Sequence, residues 1–127
     1  MNTPIMPPAI APPVANYAHA VLSVDVTRLL HTSGVVPVRP DGSVPVETRE
    51  QAVVVWANIQ AMLEDADMSV SDIVSVTTYV VVGESLAEVM EVRDRVFGGH
   101  IAASTLLPVA ALARPEWNLE IAIVAAR

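Results

Sequence analysis

One acidic residue, Glu120, stands in an otherwise apolar segment close to the end of the chain. Its neighbours there are Leu119, Ile121, Ala122, Ile123, Val124 and Ala125. A carboxylate among apolar side chains is costly unless it is paired, hydrogen-bonded or protonated. Such environments are also where acid–base catalysts are found, so Glu120 is a candidate catalytic residue. The competing interpretation is a carboxylate on a solvated strand edge or in a structural ion pair.

Four other polar side chains lie near the ends of apolar segments and are candidates to surround a ligand: Tyr17, Ser33, Ser104 and Thr105. No G-x-S-x-G elbow is present, which disfavours a serine nucleophile. Gly34 follows Ser33 directly, and a glycine there lets a ligand approach the backbone, so its N–H could bind an anion or a carbonyl oxygen. An ordinary turn glycine is the alternative.

Two missing residue types restrict the chemistry. The chain has no Cys, which excludes thiol nucleophiles, disulfides and Cys-ligated metals. All seven Lys/Arg positions are Arg, so no lysine Schiff base can form. The three His residues show no metal-ligand spacing. We therefore expect neither a metal site nor a cofactor.

The charge pattern bears on partners and location. The formal net charge is −7 and no Arg cluster occurs, so we expect no binding to nucleic acid or to an anionic membrane. No apolar run is long enough for a transmembrane helix, and no basic residue precedes Arg28 as a signal peptide would require. These features lead us to expect a cytoplasmic protein.

The segment from Glu47 to about Ala66 has the pattern of a first helix. Thr48 and Gln51 have the spacing of a capping box. Apolar residues then recur at helical period, with Trp56 predicted as a core anchor.

A second helix is predicted from about Ser85 to Phe97. Ser85 and Glu88 repeat the capping-box spacing, and two glycines at 98–99 end the segment. Its charged residues are expected to form a solvated face. They are Glu91, Arg93, Asp94 and Arg95.

Five strands complete the pattern and give the order β-β-α-β-α-β-β. They are predicted at 18–24, 28–33, 72–82, 105–112 and 119–125. Residues 1–13 hold five of the ten prolines and are predicted to form an extended arm before a single domain of residues 14–127. Two amphipathic helices cannot cover both faces of such a sheet, so they should lie on one face of a mixed sheet in an α+β fold. The other face would then pack against another subunit.

The ordered set of segments resembles the Rid family, also called RidA, YjgF or L-PSP. The similar stretches are 15–21, the Leu30–Gly34 strand ending in Ser-Gly, the helix 51–63 with Asn58, the 72–78 strand, 102–111 and Leu119–Ile121. The resemblance covers about Ala11 to Ala126. It implies a chorismate mutase-like fold, a homotrimer and a small-molecule cleft between neighbouring subunits.

The resemblance also implies an activity, the hydrolysis of imines such as 2-iminopropanoate to a keto acid and ammonia. In the deaminase branch, an Arg and the backbone N–H at Ser-Gly hold the substrate carboxylate, and a Glu in the last strand handles the attacking water. Tyr17, Ser33, Gly34 and Glu120 match such positions here. Thr105 falls where other members have Cys or Thr.

Two departures alter this expectation. The family's Pro-Ala-Arg-Ser segment is Ile-Ala-Ala-Ser at 101–104, so Ala103 stands where the carboxylate-binding Arg would be, ahead of Ser104. Met90 stands where a helix Asn often borders the cleft. Losing a charge-assisted contact should cost about 2–4 kcal/mol of ligand binding, so a more apolar or uncharged substrate is expected.

Two classes of function remain open from the sequence. One is a hydrolase acting on an imine, enamine or related small metabolite, with Glu120 as the catalytic residue. The other is a trimer that binds a small metabolite or regulates a partner without chemistry. A nuclease is disfavoured by the acidic charge.

Overall fold

The computed structural model describes residues 1–127, and it contains six strands, two α-helices and one short 3₁₀ turn. The strands are β1 (Asn2–Ile5), β2 (Ala20–Ser23), β3 (Leu29–His31), β4 (Ile73–Val81), β5 (Ala103–Val109) and β6 (Leu119–Ala126). The helices are α1 (Thr48–Asp65) and α2 (Leu86–Phe97), and the 3₁₀ turn is Val70–Asp72. From β2 onward the predicted order of strands and helices is confirmed.

A mixed four-stranded sheet organises the domain in the order β3-β6-β4-β5. β4 and β5 are parallel, whereas β6 runs antiparallel to both β3 and β4. Side chains along β4 and β6 alternate in burial, as expected for a sheet covered on one face. Val76 and Val80 of β4 and Ile121 and Ile123 of β6 lie in the core under the helices.

The N-terminal arm contains one strand of its own. β1 pairs antiparallel with β2, from Asn2 opposite Ser23 to Ile5 opposite Ala20. The Asn2 side chain also donates to the carbonyl oxygen of Ala126 at 2.7 Å, which ties this ribbon to the end of β6. The prolines that follow have no strand pairing, in keeping with their missing N–H.

Helix α1 covers the sheet through one apolar face, as predicted. Trp56 is buried and meets Phe97 edge-to-face at a ring distance of 5.3 Å. The predicted capping box is wrong, because the N-cap is Glu47 and no side chain caps this end. The Thr48 hydroxyl donates instead to the Glu84 carboxylate. A tertiary hydrogen bond therefore replaces the local cap that the spacing predicts.

Helix α2 has the predicted ends. The Ser85 hydroxyl accepts from the Glu88 N–H at 3.2 Å, and Gly98 supplies the left-handed C-cap with a φ of 56°. The predicted solvated face is wrong at one position, since the side chain of Arg93 is only 3% exposed. It is buried because its guanidinium has partners on both sides, Asp94 and Ser104.

The face of the sheet opposite the helices has no covering layer within the chain. Its side chains are half-buried or exposed, and Leu29 and Leu107 are 60% and 44% exposed. We call this surface the open face. Both helices lie on the other side, so the predicted placement of two helices on one face is confirmed.

Candidate functional site

Val35 forms an isolated antiparallel β-bridge with Ile121 of β6. Between the end of β3 and this bridge, the chain carries one extra residue relative to β6. Thr32 N–H donates to the Ile123 carbonyl, and Val35 N–H donates to the Ile121 carbonyl. Three steps on one strand therefore match two on the other, which is the arrangement of a β-bulge. Ser33 and Gly34 form this bulge, and neither N–H has an acceptor within the chain.

The Glu120 carboxylate lies directly against Gly34. A Cβ placed on Gly34 would come within 1.8 Å of Glu120 Oε2, so only glycine leaves room for this carboxylate. No hydrogen bond or ion pair of the chain involves the Glu120 side chain, which is half-buried. The structural ion pair considered from the sequence is therefore absent from this chain.

Tyr79 is a site residue that the sequence reasoning missed. It pairs with Glu120 across β4 and β6, which places both side chains next to each other on the open face. The phenol hydroxyl makes no hydrogen bond within the chain, although the ring is half-buried. The signal was available in the alternation of β4, where polar Ser75, Thr77 and Tyr79 interleave with buried residues.

A pocket of about 470 Å³ opens beside these residues. Gly34, Tyr79, Glu120 and Ala122 line one side of it. The rest is aliphatic and consists of Val109, Ala111, Leu112 and Ala113. Its only formally charged lining group is Glu120, and its only other ionisable one is the Tyr79 phenol.

The aliphatic wall follows directly from the end of β5, which comes earlier than the sequence predicts. The sequence placed a strand over 105–112, but β5 runs from Ala103 to Val109. β4 turns away at Gly83, where φ is 100°, and this leaves β5 no partner beyond Val109. Residues 110–113 therefore leave the sheet and curve over the pocket.

A buried glutamine holds the loop between this wall and β6. Gln51 on α1 donates to the carbonyls of Pro45 at 2.7 Å and Glu116 at 2.8 Å. Its own oxygen accepts from the Asn118 N–H at 2.8 Å. All of its side-chain groups are thus engaged, and they fix the segment that leads directly into Glu120.

A larger groove of about 530 Å³ lies between the 35–38 segment and α1, away from Glu120. The Asn58 amide there donates to the carbonyls of Val36 and Val38, so it holds the backbone in place. Asp65 is the only ionisable lining residue. This groove lacks the combination of groups found at Glu120.

The remaining predicted site residues gather at the opposite edge of the sheet. Ala18 N–H donates to the Ala102 carbonyl at 3.0 Å and bridges Ala103, which brings Tyr17 to the start of β5. Ala103 and Thr105 pair with Ser75 and Thr77, so both lie on the open face.

Ser104 points the other way, toward α2. Arg93 Nη1 donates to its hydroxyl at 3.2 Å, while Arg93 Nε and Nη2 donate to one oxygen of Asp94. Asp94 also accepts from the Asn16 amide at 3.1 Å, which straps the segment before Tyr17 to the helix. Met90 is half-buried on α2, one helical turn before Arg93.

The predicted residues therefore form two groups in one chain. Ser33, Gly34 and Glu120 lie at the β3–β6 side, and Tyr17 and the 103–105 segment lie at β5. β6 and β5 are two strand spacings apart, roughly 10 Å. Met90 lies on α2, one helical turn from Arg93. Because Arg93 donates to Ser104 of β5, Met90 belongs to the β5 side. One chain does not bring the two groups into contact.

No three of the His, Asp and Glu side chains converge in a way that could hold a metal ion. Neither helix combines the length and apolar character needed to cross a bilayer.

Known proteins with similar sequences and structures show where the chain belongs. A family model described as Endoribonuclease L-PSP matches residues 8–127. The 2-iminobutanoate/2-iminopropanoate deaminase of Escherichia coli K12 is 33% identical over 111 residues, which is 84% of this chain and 86% of that protein.

Two crystal structures have the same fold. YyfB of the Rid family from Yersinia pestis matches with a TM-score of 0.84 and 28% identity, covering 99% of this chain and 98% of that one. E. coli TdcF with bound serine matches with a TM-score of 0.74 and 28% identity, covering 91% of each chain. The predicted chorismate mutase-like fold is confirmed by such neighbours. Because the family model spans nearly the whole sequence, this chain belongs to the Rid family, also named L-PSP or YjgF.

Proposed function

We propose that this protein hydrolyses the C=N bond of a small imine or enamine in a cleft that a neighbouring subunit completes. One observation carries the proposal: the Glu120 carboxylate lies against Gly34, at a pocket, with no partner in its own chain. A carboxylate left in this condition is available to a water or a substrate. The deaminase name of the E. coli relative supports the same reaction class.

In this proposal Glu120 accepts a proton from water as the water oxygen attacks the imine carbon. The C=N bond becomes a C–N single bond, and the proton then passes to the nitrogen. The proton of the new hydroxyl group then also reaches the nitrogen through Glu120, so the C–N bond breaks, the carbonyl forms and ammonia leaves. The free N–H of Gly34 is suited to hold the oxygen during these steps, since a fixed backbone donor stabilises developing negative charge.

The assembly in this proposal is a homotrimer. The open face exposes aliphatic side chains such as Leu107, which a neighbour would bury. The two groups of site residues lie at the β3–β6 side and at β5 of one sheet, so each cleft would combine Glu120 and Gly34 of one subunit with Tyr17, Met90, Ala103 and Thr105 of the next. Ser104 would support this second group from behind, through Arg93.

Ala103 sets the specificity in this proposal. A methyl group on the open face cannot pair with a carboxylate, whereas an arginine there would do so in bidentate geometry. We therefore expect poor turnover of small 2-imino acids and better turnover of imines without a carboxylate. The nuclease named in the family model is not part of the proposal, because a net charge of −7 opposes phosphate binding.

The test is an ammonia-release assay on imines generated in situ, with 2-iminopropanoate beside imines of similar size that lack the carboxylate. Wild type is compared with Glu120→Gln and Ala103→Arg. We expect turnover of the carboxylate-free imines, a loss of at least 100-fold in Glu120→Gln with ligand affinity largely kept, and a gain of 2-iminopropanoate turnover in Ala103→Arg. If no imine is hydrolysed by any of the three proteins, the non-catalytic binding trimer is the better account.

A further inference from the structure

We propose that the site selects a cation, so that the substrate is a protonated iminium carrying an apolar group and no carboxylate. This inference rests on the proposed function for its chemistry. The cation preference itself rests on the pocket around Glu120 and Tyr79 and on the uncharged β5 group that a neighbouring subunit would bring to it.

The charge of the pocket favours a cation. Glu120 is its one acidic residue, and no Arg or His is among the lining residues. The carboxylate has no counter-ion in the chain, and a negative group in a partly desolvated pocket attracts a cation and repels an anion. An anionic 2-imino acid would meet this charge without a compensating arginine.

The site residues at β5 supply no cation either. Tyr17, Ala103, Thr105 and Met90 are all uncharged. His19 contacts the Tyr17 ring, and its Nε2 lies 2.6 Å from the carbonyl oxygen of Ala11, so this nitrogen is engaged within the chain.

Two arginines lie near these residues and must be considered. Arg93 is buried on the helix side of β5, where Asp94 neutralises it. Arg114 is exposed in the loop after Ala113 and does not line the pocket. Neither arginine is positioned to hold the carboxylate of a ligand bound beside Glu120. Arg114 is nevertheless close enough in sequence that the binding test must control for it.

Tyr79 lies beside Glu120, and its hydroxyl makes no hydrogen bond within the chain. An aromatic ring next to a carboxylate is suited to a small organic cation, because the face of the ring is negative and adds to the attraction. The aliphatic wall formed by Val109, Leu112 and their neighbours suits an apolar substituent on the same ligand.

The chemistry balances for such a substrate. An iminium R₂C=NH₂⁺ and one water give a ketone or aldehyde, R₂C=O, and an ammonium ion. Positive charge on nitrogen also makes the carbon more electrophilic, so a site that favours the protonated iminium over the neutral imine also favours attack by water. An iminium without a carboxylate is produced by two-electron oxidation of an amine, so an amine-oxidising reaction is the class that would supply it.

The test uses three ligands of one shape and different charge: benzamidinium, benzamide and benzoate. Their affinities for the full-length protein are measured by calorimetry at one ionic strength. We expect benzamidinium to bind at least tenfold more tightly than benzamide, and benzoate to bind more weakly than either. Equal affinities, tighter benzoate binding or no measurable benzamidinium binding would each overturn the inference.

Matched variants locate the preference. Glu120→Gln should reduce the preference for benzamidinium over benzamide to less than threefold. Glu116→Gln removes the same charge from an exposed position in the preceding loop and should leave the preference intact. Tyr79→Leu should reduce it and Tyr79→Phe should keep most of it, because the ring is retained. A preference that survives Glu120→Gln, or benzoate binding that depends on Arg114, contradicts the inference.

Turnover separates this inference from the proposed function. If imines are hydrolysed but only those bearing a carboxylate, the hydrolase stands and the cation site fails. If benzamidinium binds selectively but no imine is hydrolysed, the cation site stands and the hydrolase fails.

Discussion

Gly34→Ala tests whether the position of the Glu120 carboxylate matters. The new methyl carbon would lie 1.8 Å from Glu120 Oε2 and 2.6 Å from Cδ. An ordinary contact begins near 3.4 Å, so the carboxylate must retreat by about 1.6 Å. The backbone of Gly34 is not among the positive-φ glycines, so alanine is accommodated there without backbone strain.

Activity and stability should respond differently to this substitution. Moving a catalytic group by more than 1 Å costs about 100-fold in rate, so we expect kcat/KM for the best imine substrate to fall by about that factor. The free energy of unfolding should change by less than about 1 kcal/mol. A shifted Glu rotamer costs on the order of 0.5–1.5 kcal/mol, and Gly→Ala returns about 0.4–1 kcal/mol through the unfolded chain.

Gly42→Ala is the matched control. Its Cβ would meet nothing within 4 Å, but its φ of 87° is unfavourable for alanine. We therefore expect a loss of stability of about 1 kcal/mol with unchanged kcat/KM. If Gly34→Ala is folded and retains wild-type kcat/KM, the carboxylate does not act from the position seen here and the mechanism is refuted.

Two further predictions concern stability. Gln51→Leu leaves the Asn118 N–H and the carbonyls of Pro45 and Glu116 without partners. We therefore expect the free energy of unfolding to fall by about 3 kcal/mol and the melting temperature to fall by roughly 10 °C. A change in melting temperature under about 2 °C would contradict the role given to Gln51 in holding the loop. The hydrogen bond from Arg49 lowers the pKa of Glu91 below its ordinary value of 4.5, so the folded state binds this proton less readily than the unfolded state. This contribution to stability is present above about pH 4.5 and is lost as the pH falls through the folded pKa. Arg49→Gln should therefore lower the melting temperature at pH 7, and this effect should shrink steadily as the pH is lowered below 4.5. An effect that stays equal down to the lowest pH at which the protein is folded would contradict it.

Local patterns predicted much of the fold because each signal acts within a few residues. A strand is predicted at 72–82, where β4 lies, helical period predicts the α1 face with Trp56, and Ser85 predicts the start of α2. The same local reasoning failed where distant partners intervened. Thr48 donates a hydrogen bond to Glu84 and does not cap its own helix. Arg93 is buried, with hydrogen bonds to Asp94 and Ser104, and is not left in solvent.

The sequence by itself determined which chemistry is available. Without Cys or Lys there is no thiol and no lysine Schiff base. Glu120 stands out because the order of the residues shows a lone carboxylate in an apolar segment. The residues alone also show that position 103 is Ala, and it is the resemblance to the Rid family that implies an Arg at this position. These conclusions need no coordinates, since they concern which functional groups exist and in what local setting.

Only the tertiary structure decided how those groups meet. The bulge at Ser33 and Gly34 arises from pairing with a strand about 90 residues away, and this pairing puts Gly34 under the Glu120 carboxylate. The register between β4 and β6 puts Tyr79 beside it, and the early end of β5 provides the aliphatic wall. Strand register and loop closure are set by long-range hydrogen bonds and packing, which no window of neighbouring residues contains.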